Sequence, residues 1–108
     1  MDDTKFLKVA DDCLAKVAKW LEDFDPDEVD YSTADGSVTI EFPDGAKFIL
    51  SRQSATKQVW LAAGAHGYHY TLDESANAWR DDKDGHELFA RLAEVVSEQI
   101  GKPVEFDT

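Results

Sequence analysis

The spacing of apolar residues changes twice along this chain, and these two changes constrain the fold more than any other feature. Across residues 6–24 the apolar positions recur every three or four residues, which is typical of an amphipathic helix with one buried face. Across residues 29–72 they alternate with polar positions, which indicates strands. The helical spacing returns at residues 88–100. The sequence therefore predicts one helix, a series of strands and a second helix.

Acidic residues and a proline mark the ends of the predicted helices. Asp2 or Asp3 can cap the start of the first helix, and Pro26 is expected to end it. Asp84, with Glu87 three residues later, forms a capping-box pattern before the second helix.

Turn-forming residues divide the alternating region into short strands. They fall at residues 35–36, 43–45 and 64–67, and residues 78–80 predict one further short strand. Connections this short favour an antiparallel meander. The predicted fold is α+β, a two-layer sandwich in which two helices pack on one face of a five- or six-stranded antiparallel sheet. A chain of 108 residues is expected to form a single domain, residues 1–108.

Charge is spread unevenly along the chain. Residues 1–45 carry 13 acidic and 4 basic side chains, whereas residues 46–108 carry 10 and 7, which gives the overall net charge of −12. Residues 46–72 contain three basic side chains and no carboxylate, so we expect two surfaces of opposite sign. A pI near 4.4 makes nucleic acid a poor partner, because phosphate binding needs clustered Lys and Arg.

Three further features bear on where the protein works. No apolar run approaches the roughly 20 residues of a membrane span, so a membrane is not expected as a partner. The start of the chain is acidic and resembles neither a secretory signal nor an Arg-rich transit peptide. Cys13 has no second cysteine for an internal disulfide. We therefore expect a cytoplasmic bacterial protein, with a processed mitochondrial form as the alternative.

The densest group of acids is the first candidate site. Six carboxylates fall within nine residues that contain no Lys or Arg: Glu22, Asp23, Asp25, Asp27, Glu28 and Asp30. Clustered carboxylates attract hard cations even without a closed coordination sphere, and the spacing is not that of an EF-hand. A metal ion bound here would be weakly held, partly hydrated and exchangeable. The alternative is a solvated acidic face that favours solubility.

Trp60 is the second candidate. If Val59 faces the core, strand alternation places Gln58 and Trp60 on the helix-free face of the sheet. A largely solvated indole at such a place is typical of an anchor for another protein. The alternatives are that a loop covers Trp60 or that the strand has the opposite phase.

No pattern of catalytic residues stands out. The three histidines, His66, His69 and His86, show none of the zinc spacings, and Cys13 lies on the buried stripe of the first helix. The chain carries no glycine-rich phosphate loop and no nucleophile elbow. The sequence therefore predicts a protein that is not an enzyme.

Several motifs along the chain are characteristic when they are taken together. Residues 51–53 (SRQ) are followed by residues 58–62 (QVWLA) and residues 67–70 (GYHY), and residues 21–25 are LEDFD. Residues 36–47 contain the form Val-Thr-Ile-x-Phe-x-x-Gly-x-Lys. In this order, and over essentially the whole chain, the motifs resemble the frataxin family and most closely its bacterial CyaY branch.

The resemblance implies a frataxin-like sandwich and an iron-binding accessory protein of iron–sulfur cluster assembly. Such a protein binds Fe(II) or Fe(III) weakly and exchangeably, docks on the cysteine desulfurase and its scaffold protein, and regulates that complex or supplies it with iron. We expect a monomer, and oligomerisation driven by iron stays open. In the family, the acidic metal-binding ridge also docks the basic surface of the desulfurase. Carried onto this chain, the ridge consists of Asp3, Asp11, Glu22, Asp23, Asp25, Asp27, Glu28 and Asp30. The partner-binding surface consists of Gln53, Gln58 and Trp60.

This sequence departs from the family pattern on the first helix. Four positions where relatives often carry an acid or a histidine hold other residues here: Lys5, Leu7, Ala18 and Lys19. We therefore expect residues 22–30 to supply most of the metal-binding carboxylates of the predicted ridge. On the sheet side, Ser51 replaces a usual Asn and Ala55 stands near a frequent Pro. Two other functions stay open, namely a ferroxidase or iron-storage protein and a metal-independent interaction module.

Overall fold

The structure, a computed structural model, describes residues 1–106. Within these residues, two helices pack on one side of a six-stranded antiparallel sheet, which confirms the predicted fold class. The helices are α1 (Asp3–Leu21) and α2 (Leu88–Ile100), and neither of them combines the length and the hydrophobicity needed to cross a bilayer. The strands are β1 (Asp30–Ala34), β2 (Ser37–Glu41), β3 (Lys47–Gln53), β4 (Gln58–Ala63), β5 (His66–Asp73) and β6 (Ala78–Asp81).

Every strand pairs with the strand that follows it in the chain, so the sheet order is β1-β2-β3-β4-β5-β6 and the predicted meander is confirmed. The β1–β2 turn requires a glycine for two reasons. Gly36 has a φ of +77°, which favours glycine. A Cβ atom at Gly36 would also come within 3.1 Å of the Arg52 guanidinium. The absence of a side chain at Gly36 therefore leaves the space that the Arg52 guanidinium occupies.

Helix α1 begins as predicted and ends earlier than predicted. The Asp2 carboxylate accepts a hydrogen bond from the Lys5 backbone N–H at 2.7 Å and so caps the first turn. The helix ends at Leu21, before Pro26 is reached. The reason is that the chain tightens into a turn, in which the Phe24 N–H donates to the Leu21 carbonyl oxygen at 3.2 Å. Pro26 therefore follows the end of the helix and does not cause it.

Helix α2 is capped by Glu87. The Glu87 carboxylate accepts hydrogen bonds from the backbone N–H groups of Phe89 at 2.9 Å and Ala90 at 3.2 Å. The predicted capping box with Asp84 as the cap is wrong. Asp84 lies in the preceding turn, where its carboxylate accepts the His86 backbone N–H at 3.0 Å instead.

The core lies between the sheet and the two helices. Alternate residues of the central strands are buried in it: Leu50, Val59, Leu61 and Tyr70. Residues 101–106 then pack on both helices. The Trp20 indole N–H of α1 donates to the Glu105 carbonyl oxygen at 2.9 Å, and Phe106 stacks on Phe89 of α2 with 4.4 Å between ring centroids. This segment ties the two helices together.

Candidate metal-binding segment and docking face

Residues 22–30, hereafter the acidic segment, join α1 to β1 through two consecutive turns. In the second turn, the Val29 N–H donates to the Asp25 carbonyl oxygen at 2.9 Å. Two apolar side chains hold the segment against the core. Phe24 lies edge-on against Trp20 with 4.9 Å between ring centroids, and Val29 is only 1% exposed. Because the apolar side chains point inward, the carboxylates between them face solvent.

Most carboxylates of the acidic segment form no salt bridge with the described residues. Within residues 1–106, only Glu28 of this segment forms a salt bridge, with Lys102 at 2.5 Å. The Asp25 carboxylate accepts the Asp27 backbone N–H at 2.9 Å, which shapes the second turn. The exposed carboxylates without a salt bridge are Glu22, Asp23, Asp25, Asp27 and Asp30. They concentrate negative potential and oxygen ligands on a short stretch of surface.

The two predicted ridge residues on α1 are paired with bases. Asp3 lies 2.6 Å from the Lys57 ammonium, and Asp11 lies 2.5 Å from the Arg52 guanidinium. The hydrogen bond and the charge of Lys57 lower the pKa of Asp3. Arg52 is in phase with the buried side of β3 and therefore points toward α1. The expected separate basic surface is therefore not formed, because two of its three charges, Arg52 and Lys57, neutralise acids of the helix.

The predicted phase of β4 is confirmed. Val59 and Leu61 are buried, and Trp60 lies on the opposite, helix-free face. The indole is half-buried and not largely solvated as expected, because it stacks on His69 with 4.3 Å between ring centroids and 17° between ring planes. Its Nε1–H donates to the Gln58 side-chain oxygen at 2.9 Å. The indole is thus held in one orientation by its neighbours.

The structure brings the three predicted partner-binding residues together. Gln53 and Gln58 are cross-strand partners on β3 and β4, on the same face as Trp60. The Gln58 amide nitrogen lies 2.5 Å from an Asp82 carboxylate oxygen, and the Gln53 amide donates to the Ser51 hydroxyl at 3.0 Å. These hydrogen bonds fix the amide groups around the indole.

The apolar part of this face was missed from the sequence. Ile49 on β3 is 42% exposed, and with Ala62 and Gly67 it borders a shallow hollow of about 180 Å³ beside Trp60. The available signal was the alternation of Ile49 with the buried Phe48. We use the term docking face for the surface formed by Ile49, Ser51, Gln53, Gln58, Trp60, Ala62 and His69.

Comparisons with known proteins place this fold and these motifs in one family. The Frataxin-like domain matches residues 1–102. The chain belongs to the frataxin family. Two curated relatives are both named iron-sulfur cluster assembly protein CyaY. The one from Dechloromonas aromatica is 39% identical over 105 residues, which are 96% of this chain and 97% of the relative. The one from Paraburkholderia phymatum is 34% identical over 105 residues, which are 97% of each chain.

Solved frataxin structures show the same architecture. Frataxin from Psychromonas ingrahamii, of the CyaY protein family, matches with a TM-score of 0.89 and 31% identity, and the match covers 100% of both chains. A trimeric frataxin from the yeast Saccharomyces cerevisiae, complexed with ferrous iron, matches with a TM-score of 0.75 and 28% identity over 87% of each chain. The resemblance that the motifs indicated is therefore confirmed for both sequence and fold.

Proposed function

We propose that this frataxin-family chain is an iron-binding accessory protein of iron–sulfur cluster assembly and does not itself catalyse a reaction. It binds Fe(II) or Fe(III) on the acidic segment, docks on the cysteine desulfurase and scaffold complex, and regulates that complex or supplies it with iron. The names of the two CyaY relatives support the pathway, and the yeast frataxin complexed with ferrous iron supports the metal. The observation that carries the proposal is the group of five exposed carboxylates without a salt bridge, among residues 1–106, in the acidic segment.

The chemistry of the acidic segment favours a loosely held cation. Carboxylate oxygens are the ligands that hard cations prefer. Two carboxylates in water repel each other by about 0.6 kcal/mol at roughly 7 Å, and a cation between them relieves this repulsion. Because these acids lie on the surface, a bound iron ion keeps water ligands and exchanges readily. Asp3 and Asp11 are weaker ligands, since iron there competes with Lys57 and Arg52.

The docking face supplies the contact with the protein complex. Trp60 is a large aromatic side chain that His69 and Gln58 already hold in place, so little conformational entropy is lost when a partner covers it. The exposed Ile49 adds apolar area next to it. The acidic segment leads into β1 at one edge of the sheet, whereas Trp60 lies on the inner strand β4. The docking role of the Trp60 face can therefore be tested separately from iron binding on the acidic segment.

An anaerobic NMR titration with Fe(II) tests the iron site, because paramagnetic broadening reports which amides lie near the metal. We expect the amides of the acidic segment to broaden first. Asp23→Asn is expected to weaken the effect, whereas Glu98→Gln, which removes an equal charge from an exposed position on α2, leaves it unchanged. Diffuse broadening at several equivalents of iron would contradict the iron site and favour the metal-independent interaction module.

Partner docking is tested by the affinity of Trp60→Ala for the desulfurase and scaffold complex. Truncation of an aromatic anchor typically costs about 2 kcal/mol or more, so we expect a loss of roughly 30-fold. Leu7→Ala is the matched control, since Leu7 is also exposed, at 40%, but lies on α1. Equal affinities of the Trp60 variant and the wild type would show that the partner binds elsewhere.

Oxygen consumption during Fe(II) addition tests the non-enzymatic part of the proposal. We expect no fast, saturable uptake of oxygen beyond that of iron in buffer. Rapid turnover that disappears when a few acids are neutralised would instead support the ferroxidase alternative.

A further inference from the structure

Three potential metal ligands meet in the connection between β6 and α2. They are a carboxylate oxygen of Asp81, a carboxylate oxygen of Asp84 and a ring nitrogen of His86, all within 4.8 Å of one another. The acidic segment leads into β1, which is the opposite edge strand, about 24 Å away across five strand spacings. This cluster is therefore separate from the iron site proposed above.

The backbone of the connection is closed by hydrogen bonds. The Asp81 N–H donates to the His86 carbonyl oxygen at 2.9 Å, and the Gly85 N–H donates to the Asp81 carbonyl oxygen at 3.0 Å. Gly85 has a φ of +76°, which lets the chain turn between the last two ligands. The loop of residues 81–86 thus presents the three side chains together without further rearrangement.

Asp81 brings a buried negative charge to the cluster. In the described part of the chain it is the one charged residue that is buried, at 8% exposure. One of its oxygens accepts the backbone N–H groups of Lys83 at 2.9 Å and Asp84 at 3.2 Å. No Lys or Arg side chain of residues 1–106 forms a salt bridge with it, and its one potential cationic partner is His86, at 4.0 Å. A buried carboxylate in this situation is stabilised by a cation.

His86 is oriented from both sides. Its Nδ1 lies 2.5 Å from an Asp84 oxygen, and its Nε2 lies 2.8 Å from the Tyr70 hydroxyl. Tyr70 is fully buried, and burial raises the pKa of its hydroxyl above the usual range, so the phenol stays neutral. A histidine that binds a metal through one nitrogen gives its other N–H to an oxygen acceptor. Tyr70 comes from β5 and is already placed as that acceptor.

We propose that Asp81, Asp84 and His86 form a binding site for a divalent transition-metal cation of the zinc and cobalt type. The donor set is one imidazole nitrogen and two carboxylate oxygens, and imidazole favours such ions over Mg²⁺ and Ca²⁺, which take oxygen ligands. On binding through Nδ1, the cation takes the place of the hydrogen between His86 and Asp84, and the neutral imidazole carries its single proton on Nε2. A ring that starts with its one proton on Nδ1 moves it to Nε2, whereas a doubly protonated ring releases the Nδ1 proton to solvent. The Nε2–H group then donates to Tyr70. Water fills the remaining coordination positions.

Calorimetric titration with Zn²⁺ and NMR titration with paramagnetic Co²⁺ test this site. In the wild-type protein, Co²⁺ is expected to broaden the amides of residues 81–87 at a lower concentration than those of residues 22–30. His86→Gln is expected to weaken Zn²⁺ binding at least tenfold. His66→Gln, at an exposed histidine on β5, is the matched control and leaves the affinity unchanged. Tyr70→Phe removes only the outer acceptor and is expected to weaken binding roughly 10-fold or more.

Two outcomes would overturn the proposal: equal Zn²⁺ affinity in the wild type and in His86→Gln, or Co²⁺ broadening confined to residues 22–30. If His86→Gln fails to fold, Tyr70→Phe decides, because it keeps the buried ring and an unchanged affinity would then contradict the site. Asp23→Asn separates this proposal from the iron site, since it weakens iron binding at the acidic segment and leaves Zn²⁺ binding at residues 81–86 intact.

Discussion

The Arg52 guanidinium on β3 contacts the Asp11 carboxylate on α1, with 2.5 Å between Nη1 and Oδ1. The same side chain lies 3.5 Å from Asp35 and against Gly36 in the first hairpin turn. Only 16% of the Arg52 side chain is exposed, so solvent screens these contacts less than it screens pairs between fully exposed residues. One arginine therefore links the helical layer, the third strand and the β1–β2 turn.

Arg52→Gln is expected to lower the melting temperature, because it removes the charge that joins these elements. It is also expected to raise the affinity of the ridge residue Asp11 for divalent cations, because Asp11 loses its competing partner. Thermal unfolding and a Co²⁺ titration measure the two effects. The control is Lys8→Gln, which removes a more exposed pair with Asp12 at 3.5 Å. An equal change in both variants would show that Arg52 acts as an ordinary surface charge.

Asp23→Asn is expected to raise the free energy of unfolding while it weakens iron binding. Each neighbouring carboxylate at roughly 7 Å contributes about 0.6 kcal/mol of repulsion in water, and the amide removes it. Urea denaturation at low ionic strength measures the gain, which added salt should reduce. Asp12→Asn is the control with the opposite sign, because Asp12 pairs with Lys8 at 3.5 Å. A lower stability of Asp23→Asn would contradict the repulsion argument.

Phe106→Ala is expected to destabilise the protein by about 1–3 kcal/mol, the usual cost of removing a large apolar side chain that is mostly covered. Phe106 stacks on Phe89 and lies 4.9 Å from Trp20 between ring centroids, so its loss opens the contact between the helices. Urea denaturation with an unchanged m-value measures the effect. Glu105→Ala keeps the carbonyl oxygen that accepts the Trp20 N–H, so it should lower the free energy of unfolding much less. Similar losses in both variants would mean that the ring packing is unimportant.

Cys13 is expected to make the protein less stable in alkali. Burial raises the pKa of its thiol from 9.0 to about 12. The unfolded thiol loses its proton near pH 9 while the folded thiol keeps it, so the stabilisation is complete below pH 9. Above that pH the free energy of unfolding falls by about 1.4 kcal/mol per pH unit, until the folded thiol also ionises.

Urea denaturation at several pH values tests this slope against Cys13→Ala. The alanine variant loses packing at every pH, but it lacks the thiol and should therefore show a shallower fall above pH 9. Tyr70, whose pKa burial also raises, contributes in the same direction in both proteins and cancels in the comparison. Identical slopes would show that the thiol is reached by solvent in the folded state.

The spacing of apolar residues predicted the fold because each helix and each strand buries one of its faces. The alternation around Val59 was sufficient to place Trp60 on the helix-free side. The cluster of acids between α1 and β1 was visible directly in the order of residues. The cap of α2 was wrong because two acids, Asp84 and Glu87, both precede that helix, and only the path of the chain decides which of them reaches its free N–H groups.

The rest of the site depends on contacts between distant residues. The pair of Asp3 with Lys57 joins residues 54 positions apart, and no spacing rule reveals it. The stacking of Trp60 on His69 depends on the register of β4 against β5, which the strand pattern leaves undetermined. Such contacts decide which acids are free to bind a cation and how much of the indole is exposed.

The meander order of the sheet determines how far apart in the chain its contacts are. Each strand pair joins neighbours in sequence, so the hairpins close short loops and can form one after another. The hydrogen bond between Trp20 and Glu105, in contrast, spans 85 residues. The sheet is therefore expected to assemble rapidly, and residues 101–106 are expected to pack across the two helices last. In the native protein this segment should detach first. The amide hydrogens of residues 101–106, apart from Pro103, should then exchange with solvent well before those of the central strands.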